Sequence, residues 1–239
     1  LKPKGEKPGN NEFPIKISQK MKTYFLPIAV CVPVKQSRIE FFESMCLPSI
    51  RKQNVEVIQT NHKTELGPNE KRNRMARKSD TEFLFFCDDD CILPDGFLAK
   101  LLDELRSVSD DRVGYVYTDF KAVVLDPKFH PKGETHFHKA KPFSAVELKK
   151  ANFISSMVLI KRSVFPEFDE TLESYSDWDL FLELLEQGIH GKYVPEISFE
   201  KHFFDPGITT TADHDKSLQA IRKNRNLSMV EFEDLGRVE

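Results

Sequence analysis

The chain is 239 residues long and nearly charge-balanced, with 35 Lys and Arg against 38 Asp and Glu and a formal net charge of -3. That length accommodates one large α/β domain, or two small ones, with a substantial core. The charge balance excludes nucleic-acid binding by bulk electrostatics, which needs a basic excess.

In chain order, residues 1–20 are rich in Lys, Pro and Asn and lack the apolar core of a signal peptide. They are expected to form a flexible extension, with the folded domain spanning residues 21–210. Tyr24–Val34 reads as a first buried strand. Ile39–Gln53 has helical spacing of Phe41, Phe42, Met45 and Ile50, and Pro48 should bend or divide it. Val55–Gln59 is a second strand, rich in β-branched residues. A polar loop then leads into a basic helix from Pro68 to about Lys78. The run Phe83–Cys87 is short, apolar and aromatic, as a buried central strand should be. Pro94-Asp95-Gly96 opens a helix over Phe97–Arg106, with Asp95 available as its cap.

Val113–Val124 carries one or two strands, and 126–142 reads as a loop. Phe153–Ile160 is a further strand, with Lys161-Arg162-Ser163 as a turn after it. A helix runs from Asp177 to Gln187 and stops at Gly188. Lys192–Phe199 is the last strand, and residues 211–239 form a polar tail with one helix. The alternation predicts an α/β fold: a single Rossmann-like domain whose mostly parallel central sheet is flanked by helices. Cys31, Cys46, Cys87 and Cys91 have no C-x-x-C spacing and read as reduced core residues of a cytoplasmic protein. No stretch is long enough to span a bilayer, so any membrane contact would be peripheral.

The chemistry is concentrated where the aromatic strand ends in Asp88-Asp89-Asp90. Three adjacent carboxylates at the end of a buried strand repel one another and shift upward in pKa unless a cation is near. Hard oxygen ligands suit Mn²⁺ or Mg²⁺, so a divalent metal is the expected remedy.

Several segments, in order, resemble family 2 glycosyltransferases with a GT-A fold across Phe25 to Phe204. They are the strand ending in VPV; LPSIRKQNVEVI; EKRNRMARKSDTEFLFFCDDDCILPDGFL; FISSMVLIKRSVFPEFDETLESYSDWDLFLELLEQG; and KYVPEISFEKHF. The resemblance implies an inverting, metal-dependent transfer of a sugar from a nucleotide-sugar donor (a UDP-sugar by default) to a saccharide, lipid-linked or protein acceptor. It assigns the donor side to Val32, Pro33, Asn61, Arg72, Asn73, Asp88 and Asp89, and the metal to Asp88, Asp90 and His202. Asp177 would be the base that deprotonates the acceptor hydroxyl, with Ser156 and Trp178 on the acceptor side. Trp178 is equally readable as a core anchor, and Asp177 as a helix cap.

Three positions depart from the family pattern. Gln59-Thr60-Asn61-His62-Lys63 replaces an acidic nucleotide-recognition segment, Ser176-Asp177 replaces Glu-Asp, and Pro166-Glu167 replaces Gly-Gly. The nucleotide therefore stays open among UDP, GDP, CDP and dTDP. His130, His136 and His138 lie in the long loop, which is expected to close over substrate. The alternative readings are an inactive GT-A-like module binding carbohydrate or protein, or a sugar nucleotidyltransferase. The latter would want a Gly-rich phosphate loop after the first strand, where Val34–Arg38 has no glycine.

Overall fold

The computed structural model describes residues 25–59, 66–124, 135–203 and 212–227. The expected extension 1–20 lies outside them. The strands are β1 (Ile28–Val32), β2 (Glu56–Gln59), β3 (Phe83–Phe86), β4 (Cys91–Ile92), β5 (Val113–Val124), β6 (Thr135–His138), β7 (Leu159–Lys161) and β8 (His190–Phe203). The main helices are α1 (Pro68–Lys78), α2 (Phe97–Arg106), α3 (Ala145–Lys150), α4 (Ser176–Glu186) and α5 (His214–Asn224).

β1 and β3 are buried at every position, as strands covered on both faces must be. β1 pairs in parallel with both β2 and β3, so the ends of these strands open on one edge of the sheet. Side-chain alternation divides the core. Val30, Phe83 and Phe85 pack with the leucines of α2 on one face. Ala29, Cys31, Leu84 and Phe86 pack with α1 and α4 on the other.

Beyond β3 the sheet is mixed and not mostly parallel. Its order is β2-β1-β3-β7-β5-β8-β4, with β6 hydrogen-bonded to β5 off this path. β7 is antiparallel to β3 and β5, and β4 is antiparallel to β8, whereas β5 and β8 are parallel. The sequence reading missed this because β7 is too short to show a period. Phe153–Val158, expected as strand, runs irregularly before it. Part of the expected 126–142 loop is β6. The unexpected α3 carried a visible signal: Ser144 accepts from the Glu147 N–H, the Ser-x-x-Glu pattern of a helix start.

Local chemistry explains the remaining boundaries. Residues 36–51 are helical but change winding, with a π segment at Phe42–Cys46 directly before Leu47–Arg51. Pro48 lacks the N–H that would continue the regular ladder, so the division falls where proline demands it. Asp95 is exposed and does not cap α2; Gly96, at φ 75°, takes that position. β8 is longer than expected, and its register with β5 shifts between Thr118 and Asp119, where Pro195 has no N–H to give the ladder. Gly188, at φ 77°, ends α4 by letting the Ile189 and Gly188 amides return to the Leu184 and Leu185 carbonyls. No described helix is long and apolar enough to cross a membrane.

Gly191 lies against the Tyr115 ring, where an added Cβ would collide with it. Gly191→Ala is expected to destabilise the fold by about 1–3 kcal/mol through overpacking, read as a lower denaturant midpoint.

Candidate active site

The aspartate motif is fixed from both sides. The Cys87 amide donates to the Cys31 carbonyl (3.0 Å), keeping the ends of β1 and β3 level, and the chain then leaves the sheet at Asp88. It returns as β4 against β8, where the His202 amide donates to the Asp90 carbonyl (2.8 Å). Val32 ends β1 and Pro33 follows it, and the Lys35 amide just beyond them donates to Asp89 Oδ2 (2.6 Å).

Protein cations meet all three carboxylates. Arg72 from α1 donates to Asp88 Oδ1 (2.7 Å), and Lys201 from β8 to Asp88 Oδ2 (3.0 Å). Arg38 reaches both Asp89 (2.9 Å) and Asp90 (2.6 Å). Burial would raise the Asp88 carboxyl, but the Lys201 and Arg72 charges overcome it and hold Asp88 well below the usual range. For Asp90 burial prevails, reinforced by the neighbouring Asp88 charge, and its carboxyl is raised to about 6 against the pull of Lys201 and Arg38. Burial would likewise depress Lys201, yet the charges of Asp88 and Asp90 raise it. Asp88 and Asp90 are thus shifted in opposite directions.

Asp177 occupies the first turn of α4, where its Oδ1 accepts from the Trp178 amide (2.9 Å). It is not the cap, which is Tyr175 at φ 55°. Asp177, Ser156 and Lys201 line one cavity of about 340 Å³. Burial raises the Asp177 carboxyl, with Trp178, Lys201 and Arg72 opposing. His138 also lines this cavity, its ring stacked on Phe120 (4.5 Å).

Two expected site residues are structural instead. Trp178 is 1% exposed, and its indole N–H donates to the Leu148 carbonyl (2.7 Å), so it anchors α4 on α3 and offers no platform to a sugar. Asn73 is fully buried, and its amide is committed to the turn before α4. It donates to the Phe168 carbonyl and to Glu170, and accepts from the Phe168 amide. Asn69, one helical turn earlier, holds the Asp169 and Leu172 carbonyls. The same segment explains one departure from the family pattern. Glu167, at a position the family pattern gives to glycine, adopts φ 76°, a region glycine enters freely, and Arg77 pairs with its carboxylate. Asn61 and His130 lie outside the described residues.

The donor set suits a divalent ion only in part. Asp88 and Asp90 supply hard oxygens, and the buried His202 ring makes no hydrogen bond at either nitrogen. His202, however, lies against Phe41 (5.0 Å), with its Nε2 3.6 Å from Glu200. Among the described residues no group of three or more His, Cys, Asp and Glu is gathered for an ion. The residues therefore fit a cation that brings phosphate ligands with it and takes one or two carboxylates from the chain. Arg38, Lys201 and Asn69 escaped the sequence reading. Only the need to neutralise three aspartates pointed to such cations, and it named no partner.

A level-ended parallel strand pair, an aspartate turn and an opposing acidic helix start define a GT-A glycosyltransferase domain. The family model described as glycosyltransferase like family 2 matches residues 17–205, and the chain belongs to that family. S. aureus TarS (residues 1–349, in complex with UDP-GlcNAc) superposes with a TM-score of 0.61 at 14% identity, covering 86% of this chain and 68% of that one. Against the longer TarS structure the chain covers 41% of its partner. The mannosyltransferase PcManGT from Pyrobaculum calidifontis, in complex with GDP-Man and Mn²⁺, gives a TM-score of 0.52 at 16% identity, with 78% and 59% covered. No curated protein matches the chain closely enough to serve as a relative.

Two outcomes are expected from this geometry. Asn73→Ala leaves buried groups of the 168–170 turn without partners and should cost about 2 kcal/mol or more of stability, measured by urea unfolding. Because Asp90 is raised in the folded chain to about 6, its contribution is fully present below about pH 4 and is lost as pH rises through about 6. Asp90→Asn should therefore gain stability relative to wild type across that window, read as the difference between their unfolding free energies against pH.

Proposed function

We propose that this domain transfers a sugar from a nucleoside diphosphate donor to an acceptor hydroxyl, with inversion at the anomeric carbon. The observation that carries the reading is that Asp177 and Lys201 line one cavity while Lys201 Nζ lies 3.0 Å from Asp88. The base candidate and the aspartate motif are thus linked by one lysine, which lines the cavity beside the first and pairs with the second.

Asp88 and Asp90 would hold a Mn²⁺ or Mg²⁺ ion, which when bound supplies positive charge to the donor diphosphate as the glycosidic bond to it breaks. Arg72 and Lys201 keep Asp88 ionised, as a ligand for such an ion must be. Val32, Pro33 and Asp89 lie where the nucleoside would enter, beside the ends of the parallel strands. Asp177 accepts the proton of the acceptor hydroxyl, because a neutral alcohol is a weak nucleophile. Its bond from the Trp178 amide fixes the carboxylate's direction, and its raised pKa makes it a stronger base than an exposed aspartate. Ser156 is positioned to contact the acceptor. UDP-GlcNAc and GDP-Man are the donors bound by TarS and PcManGT, and they set the first donors to test here.

Asp177→Asn keeps the shape and removes the base. Sugar transfer, followed by product formation, should fall about 10²–10⁴-fold while nucleotide affinity stays unchanged. Undiminished turnover in that variant would remove Asp177 from the mechanism.

A further inference from the structure

The cations on the aspartates are not equivalent. Asp88 has both carboxylate oxygens engaged, Oδ1 by Arg72 at 2.7 Å and Oδ2 by Lys201 at 3.0 Å. Arg72 is held in place by Asn69 Oδ1 (3.2 Å) and by the Phe168 ring beneath its guanidinium (5.4 Å). Arg38 is shared between Asp89 and Asp90. Lys201 has a looser setting: its side chain is 22% exposed, it lines the cavity with Asp177, and beyond Asp88 it lies by the Phe203 ring at 5.8 Å and feels the charge of Asp90. An ammonium on a flexible four-carbon stem can change partners where a clamped guanidinium cannot.

We propose that Lys201 is the resident counter-ion of the aspartate motif and is exchanged on donor binding. In the free chain its ammonium occupies Asp88 Oδ2. When a nucleoside diphosphate arrives with a divalent cation, the ammonium leaves that oxygen to the cation and turns into the cavity to meet the diphosphate. The proposal rests on the donor-site reading above and adds an order to it. Three carboxylates in contact with Arg38, Arg72 and Lys201 carry no net charge as a group, so a divalent ion alone gains little there. Lys71, whose Nζ donates to the Val34 carbonyl, adds a further positive charge near Asp89. Metal and nucleotide should therefore bind together and each poorly alone.

The test is Mn²⁺ binding without nucleotide, read from the electron paramagnetic resonance signal of free Mn²⁺. Wild type, Lys201→Met and Lys201→Arg would be compared, with Lys201→Gln as a second neutral variant should the methionine variant not fold. Removing the ammonium frees Asp88 Oδ2 and leaves the cluster one charge more negative. The neutral variants should bind Mn²⁺ at least about tenfold more tightly than wild type, and Lys201→Arg should behave as wild type. Adding UDP or GDP should tighten Mn²⁺ binding in wild type and much less in the neutral variants, which have lost the cation that meets the diphosphate. Unchanged or weaker Mn²⁺ binding in the neutral variants would overturn the proposal. If no nucleotide binds to any variant, the donor-site reading fails, and the Mn²⁺-only comparison still decides whether Lys201 is the counter-ion.

Discussion

Three adjacent carboxylates at the end of a buried strand need countercharge, and the rest of the site is arranged to supply it. Without it, burial and mutual repulsion would keep Asp88, Asp89 and Asp90 protonated or destabilise the turn that bears them. The chain answers with Arg38 after β1, Arg72 on α1 and Lys201 on β8. Segments far apart in sequence are thereby tied to one point, and that point is the edge where the parallel strands end.

The same economy orders the opposite wall. α1 reaches the aspartates with Arg72, and with Asn69 and Asn73 it grips the turn that leads into α4. The aspartate turn and the segment leading into α4 are therefore tied to one helix. Arg225, at the end of α5, pairs with Asp179, Glu183 and Glu186 of α4, so α5 braces the element carrying Asp177. Asp179, in the first turn of α4, is buried and gives both carboxylate oxygens to this clamp.

Much of this was legible in the sequence, and the failures have physical causes. The apolar runs of β1 and β3 and the spaced leucines of α2 announce themselves, because burial imposes a period or its absence. The aspartates and Asp177 stand out as charges where charge is costly. β7 could not be seen, since three residues carry no period, and its antiparallel placement is set by tertiary pairing. Resemblance puts Asn73 beside the donor, and Trp178 reads equally as a sugar platform or a core anchor; the structure turns both inward. A polar side chain bonded to a backbone turn and one bonded to a ligand look alike in sequence. Lys201 was passed over for its neighbour His202 because an alternating strand gives no hint which of two polar residues faces the site.

The central claim is that the neutralised aspartate turn is the donor-diphosphate site. Calorimetric titration of UDP and GDP, with Mn²⁺ present, into wild type and Asp88→Asn tests it most directly. The account predicts that at least one nucleotide binds wild type and loses about tenfold or more in affinity in the folded variant. Binding that is equally tight in Asp88→Asn, or no binding to folded wild type, would contradict it.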